Sequence, residues 1–113
     1  MAEFTVTPAE GVWTVRSEDG VLVESRAALE LREVGRDPVI YFPRPDVAMA
    51  MLEKTATVTT CPDKGDATHF AYAGASARIE DVAWSYEAPT VEAAQAIAGY
   101  IAFYAEKLTV ERV

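Results

Sequence analysis

Short stretches of β-forming residues, separated by turn residues, recur along most of this chain. Residues 12–15 and 21–23 flank an Asp19-Gly20 pair, which favours a hairpin because glycine tolerates the positive φ of a tight turn. Residues 28–34 alternate apolar and polar side chains as a half-buried strand does, although their composition would also suit a helix. Further strands are predicted at residues 39–42, 55–60, 67–73, 78–86, 100–104 and 108–112.

Two short helices are expected beside these strands. Asp46 can cap the first, over residues 47–52, after two prolines have ended the preceding strand. The second begins near Thr90 and ends at Gly99, and its apolar residues share one face: Ala94, Ile97, Ala98 and Ile101. We therefore predict a mainly β fold of antiparallel sheets with one or two short helices, in a single domain over residues 1–113.

Charge and cysteine content exclude several classes of function. Eighteen acidic residues against ten Lys and Arg give a net charge of −8, so the basic footprint of a nucleic-acid-binding protein is missing. No apolar run approaches the ~20 residues that span a bilayer, and residues 1–5 lack the features of a signal peptide. A single cysteine cannot form an internal disulfide. We expect a cytoplasmic protein that binds neither nucleic acid polymers nor membranes.

The segment from Cys61 to Asp66 has the chemistry of a reactive turn. Lys64 lies three residues after Cys61, and a nearby ammonium stabilises a thiolate, so Cys61 is a candidate nucleophile. The alternative is a cysteine packed as a small hydrophobe, followed by a solvated lysine. His69 could act as a base toward Cys61, or it could be a partly exposed strand histidine. One cysteine and one histidine do not make a zinc site, so no metal or cofactor is expected.

Aromatic and cationic residues provide candidates for ligand binding. Trp84 and Tyr86 share one face of a strand because they are two residues apart, and with Tyr41 they could form pocket walls or be part of the core. Arg44 lies between two prolines, and a guanidinium on so rigid a backbone suits a carboxylate or a phosphate. Its alternative partner is Asp46 or another surface acid.

Four motifs follow one another along the chain: Tyr41-Phe42-Pro43-Arg44, Cys61-Pro62 with Lys64-Gly65, Ala83-Trp84-Ser85-Tyr86, and Ile97-Ala98-Gly99. Their order resembles domain of unknown function (DUF) family 427, over about residues 12–110. Its members are similar in outline to a β-tent, two antiparallel sheets pinned at one edge, as in the cereblon ligand-binding domain and methionine sulfoxide reductase B. The resemblance implies this fold, but the chain lacks the paired Cys-x-x-Cys motifs that hold zinc in many such proteins.

The same resemblance bears on function by analogy. In cereblon-like domains an aromatic cage takes a small planar imide or nucleoside-like ligand, and Trp84 and Tyr86 are the closest candidates here. The family is also labelled nucleotidyltransferase-like. Nucleotidyl transfer needs carboxylates that hold divalent metal, but Asp63 and Asp66 flank Lys64-Gly65 without forming an evident metal pair. His69 departs from the tyrosine expected of the family, which counts against a shared catalytic role.

Three hypotheses follow. The first is a small-molecule-binding β-tent domain, whose pocket is lined by Trp84, Tyr86 and Tyr41 and anchored by Lys64, Arg44 and Cys61. The second is an enzyme that uses Cys61 as nucleophile, activated by Lys64 or His69. The third is a structural module that forms homo-oligomers through an exposed sheet edge.

Overall fold

The computed structural model describes residues 4–113, and over this range the chain forms ten β-strands and three 3₁₀ helices. Every strand pair is antiparallel. The prediction of a mainly β, antiparallel fold is therefore confirmed. In chain order the strands are β1 (Phe4–Pro8), β2 (Trp13–Ser17), β3 (Gly20–Ser25), β4 (Leu29–Glu33), β5 (Val39–Tyr41), β6 (Leu52–Cys61), β7 (Gly65–Ala73), β8 (Arg78–Tyr86), β9 (Ala102–Phe103) and β10 (Thr109–Arg112).

These strands form three hydrogen-bonded sheets, whereas the predicted β-tent has two. The first sheet has the order β1-β4-β5, the second β10-β2-β3, and the third β6-β7-β8-β9. An isolated bridge joins the first sheet to the third, since the amides of Phe42 and Ile101 each donate to the other's carbonyl at 2.8 Å. The first and third sheets therefore meet beside β5 and β9.

The Asp19-Gly20 turn is where the sequence predicts it. Gly20 has φ +132°, a value that L-residues rarely adopt, and it pairs with Ser17 across the β2–β3 hairpin. The hairpin prediction is confirmed.

The helical segments are shorter than predicted and are 3₁₀ helices. The segment expected from Thr90 is a 3₁₀ helix over Glu92–Ile97, whose buried Ala94 and Ile97 share a face because a 3₁₀ helix repeats every three residues. Ile101 lies beyond it, in the bridge to the first sheet. The expected helix at residues 47–52 is replaced by two single 3₁₀ turns, Arg44–Asp46 and Met49–Met51. Asp46 caps neither of them, since its carboxylate accepts a hydrogen bond from Ser25.

Apolar side chains are buried in two clusters. The larger one lies around Phe42, Val82 and Ile101, all of which are fully buried. The smaller one joins the first sheet to the third and includes Leu31 and Ile97. Over residues 4–113, no helix has the length and apolar composition needed to cross a bilayer.

Asp81 is the one non-glycine residue with positive φ (+48°) that the structure records over residues 4–113. It lies where the β7–β8 register shifts, and its carboxylate accepts hydrogen bonds from Thr55 Oγ1 at 2.7 Å and Thr57 Oγ1 at 2.8 Å. These two hydrogen bonds hold the pKa of Asp81 below its ordinary value, since they stabilise the charged form. Asp81 thus joins β6 to the irregular part of β8 through these side-chain hydrogen bonds.

We expect Asp81→Asn to reduce the loss of stability in acid. A carboxyl whose pKa is lower in the folded state stabilises the fold above its unfolded pKa, and that contribution is lost as pH falls through the folded pKa. The urea midpoint of the wild type should therefore fall more steeply below about pH 4 than that of the variant. Asparagine also tolerates positive φ, so the backbone is preserved. Glu92→Gln, which replaces an exposed carboxylate, is the control, and equal slopes for all three proteins would contradict the prediction.

A small cavity between two sheets

A cavity of about 280 Å³ lies between the first and third sheets. Tyr41 of the first sheet lines it, and so do Trp84 and Tyr86 of β8 and Lys64 of the β6–β7 turn. Four of the six predicted ligand-binding residues therefore meet in one cavity, although they are distant in the chain.

Local backbone geometry explains how these side chains reach the cavity. Trp84 and Tyr86 alternate along β8 and point the same way, as the spacing predicts. Lys64 immediately precedes Gly65, whose φ of +102° lets the chain reverse sharply into β7. A Cβ at Gly65 would also lie 3.2 Å from the Thr90 side chain, so this turn packs closely against the following loop.

Lys64 is buried, with only 4% of its surface exposed. Its Nζ donates to Glu33 Oε1 at 3.1 Å and lies 3.6 Å from Cys61 Sγ. The same atom lies 5.1 Å from the ring centre of Phe4 and 6.0 Å from that of Tyr86. The interpretation of Lys64 as a solvated turn lysine is therefore wrong, because its ammonium is held between a carboxylate and aromatic faces.

Aromatic rings form the walls of the cavity. The indole of Trp84 meets the Tyr41 ring edge-on, with centroids 6.3 Å apart, and its Nε1 donates to Tyr41 Oη at 3.3 Å. Its other neighbour is Tyr104, with centroids 4.5 Å apart. Trp84 and Tyr104 also line a neighbouring cleft of about 510 Å³, and with Asp37 and Val39 they lie between the two spaces. Our site prediction omitted Tyr104, which lies just after the two-residue strand β9.

The buried tyrosine hydroxyls remain protonated at neutral pH. Burial raises the pKa of Tyr41 far above its ordinary value and raises that of Tyr86 to about 12. Tyr41 is 2% exposed, and its oxygen accepts from Trp84 while its own hydrogen has no acceptor among the described residues. Tyr41 can therefore donate a hydrogen bond to a molecule in the cavity.

His69 is buried behind Tyr104, which makes the expectation of a partly exposed histidine wrong. Its Nδ1 lies 3.3 Å from the carbonyl of Ala67, and its Nε2 lies 3.0 Å from Tyr104 Oη. In the tautomer with hydrogen on Nδ1, Nδ1 donates to that carbonyl and Nε2 accepts from the tyrosine. Gly65 is the pairing partner of Cys61, and His69 lies four residues further along β7, about 13 Å away. The structure does not bring His69 to the thiol.

Cys61 and Arg44 lie outside the lining of this cavity. Cys61 is partly buried and borders a different cleft, behind the Lys64 turn. Arg44 Nη2 pairs with both carboxylate oxygens of Glu87, at 2.9 and 3.0 Å, and its guanidinium lies over the ring of Phe70. Its partner is thus a surface acid, the alternative that the sequence left open.

A larger groove of about 580 Å³ lies beside the β2–β3 turn. Three of its polar side chains already hydrogen-bond one another, because Ser17 Oγ donates to Tyr72 Oη at 3.0 Å and Tyr72 Oη donates to Asp19 Oδ2 at 2.5 Å. The 280 Å³ cavity is smaller but holds a buried ammonium and a free hydroxyl donor, so it is the better candidate site. Among residues 4–113, no three His, Cys, Asp or Glu side chains are placed to hold a metal ion together.

Fold and cavity together define a mainly β protein of antiparallel sheets, in which two sheets enclose a small aromatic site. The chain belongs to the family described as "Domain of unknown function (DUF427)", whose model matches residues 5–113. The resemblance drawn from the motifs is thereby confirmed, and the transferase wording belongs only to the name of that family model. A comparison with curated proteins finds no significant match.

Proposed function

We propose that this protein is a single β-tent domain that binds a compact, uncharged, ring-bearing small molecule in the cavity between its first and third sheets. The observation that carries the proposal is the convergence of a buried ammonium (Lys64), an unused hydroxyl donor (Tyr41) and the aromatic face of Trp84 on one cavity. Sites for small molecules typically combine apolar aromatic walls with a few polar groups that fix orientation.

The charges around the cavity favour an uncharged ligand. Lys64 and Arg36 contribute two positive charges to the lining, and Glu33 and Asp37 contribute two negative ones. The most buried of the four, Lys64, is already neutralised by Glu33 at 3.1 Å. In the buried part of the cavity a charged ligand would find no free counter-charge, since Lys64 and Glu33 already pair, and a buried unpaired charge is costly. A nucleoside triphosphate, which carries several negative charges, is therefore a poor fit to this cavity.

The size of the cavity limits the ligand to a small ring. Sites for drug-sized ligands range from about 300 to 1,000 Å³, and this cavity has about 280 Å³. A planar ring fits the space best, because it can lie against Trp84 while its polar substituent reaches Tyr41 or Lys64.

The alternative of an enzyme with Cys61 as nucleophile has one supporting contact, the 3.6 Å distance from its sulfur to Lys64 Nζ. However, Cys61 does not line the cavity, and its only predicted base besides Lys64 lies about 13 Å along the hairpin. We therefore favour binding over thiol catalysis.

The single cysteine, with no disulfide partner, supports our expectation of a cytoplasmic location.

Three matched compounds test the proposal: benzyl alcohol, benzoate and benzylamine. Each contains one phenyl ring, and at neutral pH the first is uncharged, the second is an anion and the third is a cation. We expect saturable binding of benzyl alcohol, measured by the shift of protein resonances in an NMR titration, at least tenfold tighter than either charged compound. A tenfold difference corresponds to about 1.4 kcal/mol, a small part of the cost of burying an unpaired charge. Tighter binding of benzoate, or no saturable binding of benzyl alcohol, would overturn the proposal.

A further inference from the structure

Lys64 differs from the other lysines of the chain in its surroundings. The chain has three, and Lys54 and Lys107 are exposed whereas Lys64 is 4% exposed. Lys107 Nζ donates to two backbone carbonyls, at 3.0 and 3.1 Å. Lys64 Nζ instead borders a cavity and has one carboxylate, Glu33, within hydrogen-bond distance. Its buried amine thus lies beside aromatic faces, borders a cavity and has a proton acceptor within reach, and an imine-forming lysine uses these same groups.

We propose that Lys64 forms a reversible imine with a small aromatic aldehyde bound in this cavity. The inference rests on the proposed function, since the aldehyde is one member of the class of uncharged, ring-bearing ligands. It goes further by naming the reactive group and the atom that it attacks.

The reaction balances with the groups that are present. The ammonium of Lys64 transfers one proton to Glu33, 3.1 Å away, and the free amine then attacks the aldehyde carbon, forming a C–N bond as the C=O π electrons move to oxygen. One proton then moves from this nitrogen to that oxygen, which gives a neutral carbinolamine. Glu33 returns its proton to the carbinolamine oxygen, which leaves as water while the nitrogen lone pair forms the C=N bond. The net change is ammonium plus aldehyde to protonated imine plus water, with no oxidant or reductant.

Two features of the cavity support this step. The first is Tyr41, whose hydroxyl hydrogen has no acceptor among the described residues and can be donated to the aldehyde oxygen, making the carbon more electrophilic. The second is the burial of Lys64, because imine formation releases water and is favoured where water is scarce. The charge on nitrogen is the same before and after the reaction, so the pairing with Glu33 persists.

Reductive trapping tests the proposal. The folded protein is incubated with benzaldehyde and sodium cyanoborohydride, and benzyl groups are located by peptide mapping, which separates the three lysines from the N-terminal amine. We expect Lys64 to be modified at least tenfold faster than Lys54 or Lys107, and we expect benzyl alcohol to slow this modification. In 8 M urea the three rates should converge. Lys64→Arg, which keeps the positive charge beside Glu33, should lose the selective adduct.

The outcomes separate this inference from the proposed function. If benzyl alcohol binds in the NMR titration but the three lysines react at similar rates, the imine proposal is overturned while the binding function stands. If benzyl alcohol does not bind and Lys64 is not modified faster than the other lysines, both the imine proposal and the binding function are overturned. Preferential modification of Lys64 that benzyl alcohol fails to slow also overturns the imine proposal, because the aldehyde would then react without occupying the cavity.

Discussion

Replacing Lys64 with methionine should lower the free energy of unfolding by about 3 kcal/mol, the scale expected when one partner of a buried ion pair is removed. The Glu33 carboxylate is itself mostly buried, with 19% of its side chain exposed, so without Lys64 it would be a poorly solvated charge. Methionine preserves much of the length of the apolar lysine stem and removes only its charge. Urea denaturation monitored by circular dichroism provides the measurement.

Two further variants isolate the cause. Lys54→Met removes an exposed lysine of β6 and should change stability by less than about 0.5 kcal/mol. The double variant Lys64→Met/Glu33→Leu replaces the ion pair by apolar side chains and should recover most of the loss, since such replacements are often nearly neutral. A single Lys64→Met variant as stable as the wild type would show that the ammonium is not held as described.

Trp84→Ala should weaken the binding of benzyl alcohol at least a hundredfold. The indole is one wall of the 280 Å³ cavity and, with Tyr104, lies between it and the neighbouring cleft. Its removal would merge the two spaces and let water reach the ring-binding surface. We also expect a loss of about 2 kcal/mol in stability, smaller than for a fully buried tryptophan because Trp84 is only partly buried. NMR titration and urea denaturation measure the two effects.

Trp13 provides a matched control. It is also partly buried, it packs against the larger core cluster, and it does not line the 280 Å³ cavity. Trp13→Ala should therefore destabilise the protein without weakening the binding of benzyl alcohol. Trp84→Phe preserves an aromatic wall in case the alanine variant unfolds, and it should bind more tightly than Trp84→Ala. Equal losses of binding in the Trp13 and Trp84 alanine variants would contradict the assignment of the cavity.

The sequence predicts local features of the fold well, because these depend on neighbouring residues. Asp19-Gly20 specifies a turn by itself, and the alternation of Trp84 and Tyr86 specifies a shared strand face. The helix predicted from Thr90 to Gly99 is a shorter 3₁₀ helix over Glu92–Ile97, and the sequence does not distinguish its type because apolar residues three apart suit an α-helix and a 3₁₀ helix alike. Strand β1 is not among the predicted strands, although its Phe4 and Val6 alternate with threonine. Its partner, β4, follows about 25 residues later, so their pairing is not a local feature of the sequence.

The sequence predicts which types of residue form the candidate site, but it predicts only those contacts that are local in the chain. The proximity of Cys61 and Lys64 follows from their separation of three residues in a tight turn. The pairing of Lys64 with Glu33, 31 residues away, depends on how the first and third sheets pack, which no local pattern encodes. The partner of Arg44 is 43 residues away for the same reason, so a rigid backbone around Arg44 did not indicate which acid it would meet.

The bridge between Phe42 and Ile101 has a mechanical consequence. The walls of the cavity belong to different sheets, and this bridge fastens them near one margin through two reciprocal amide–carbonyl contacts. Because the Lys64–Glu33 ion pair and the Trp84–Tyr41 hydrogen bond join the same two walls, their spacing is also fixed across the cavity itself.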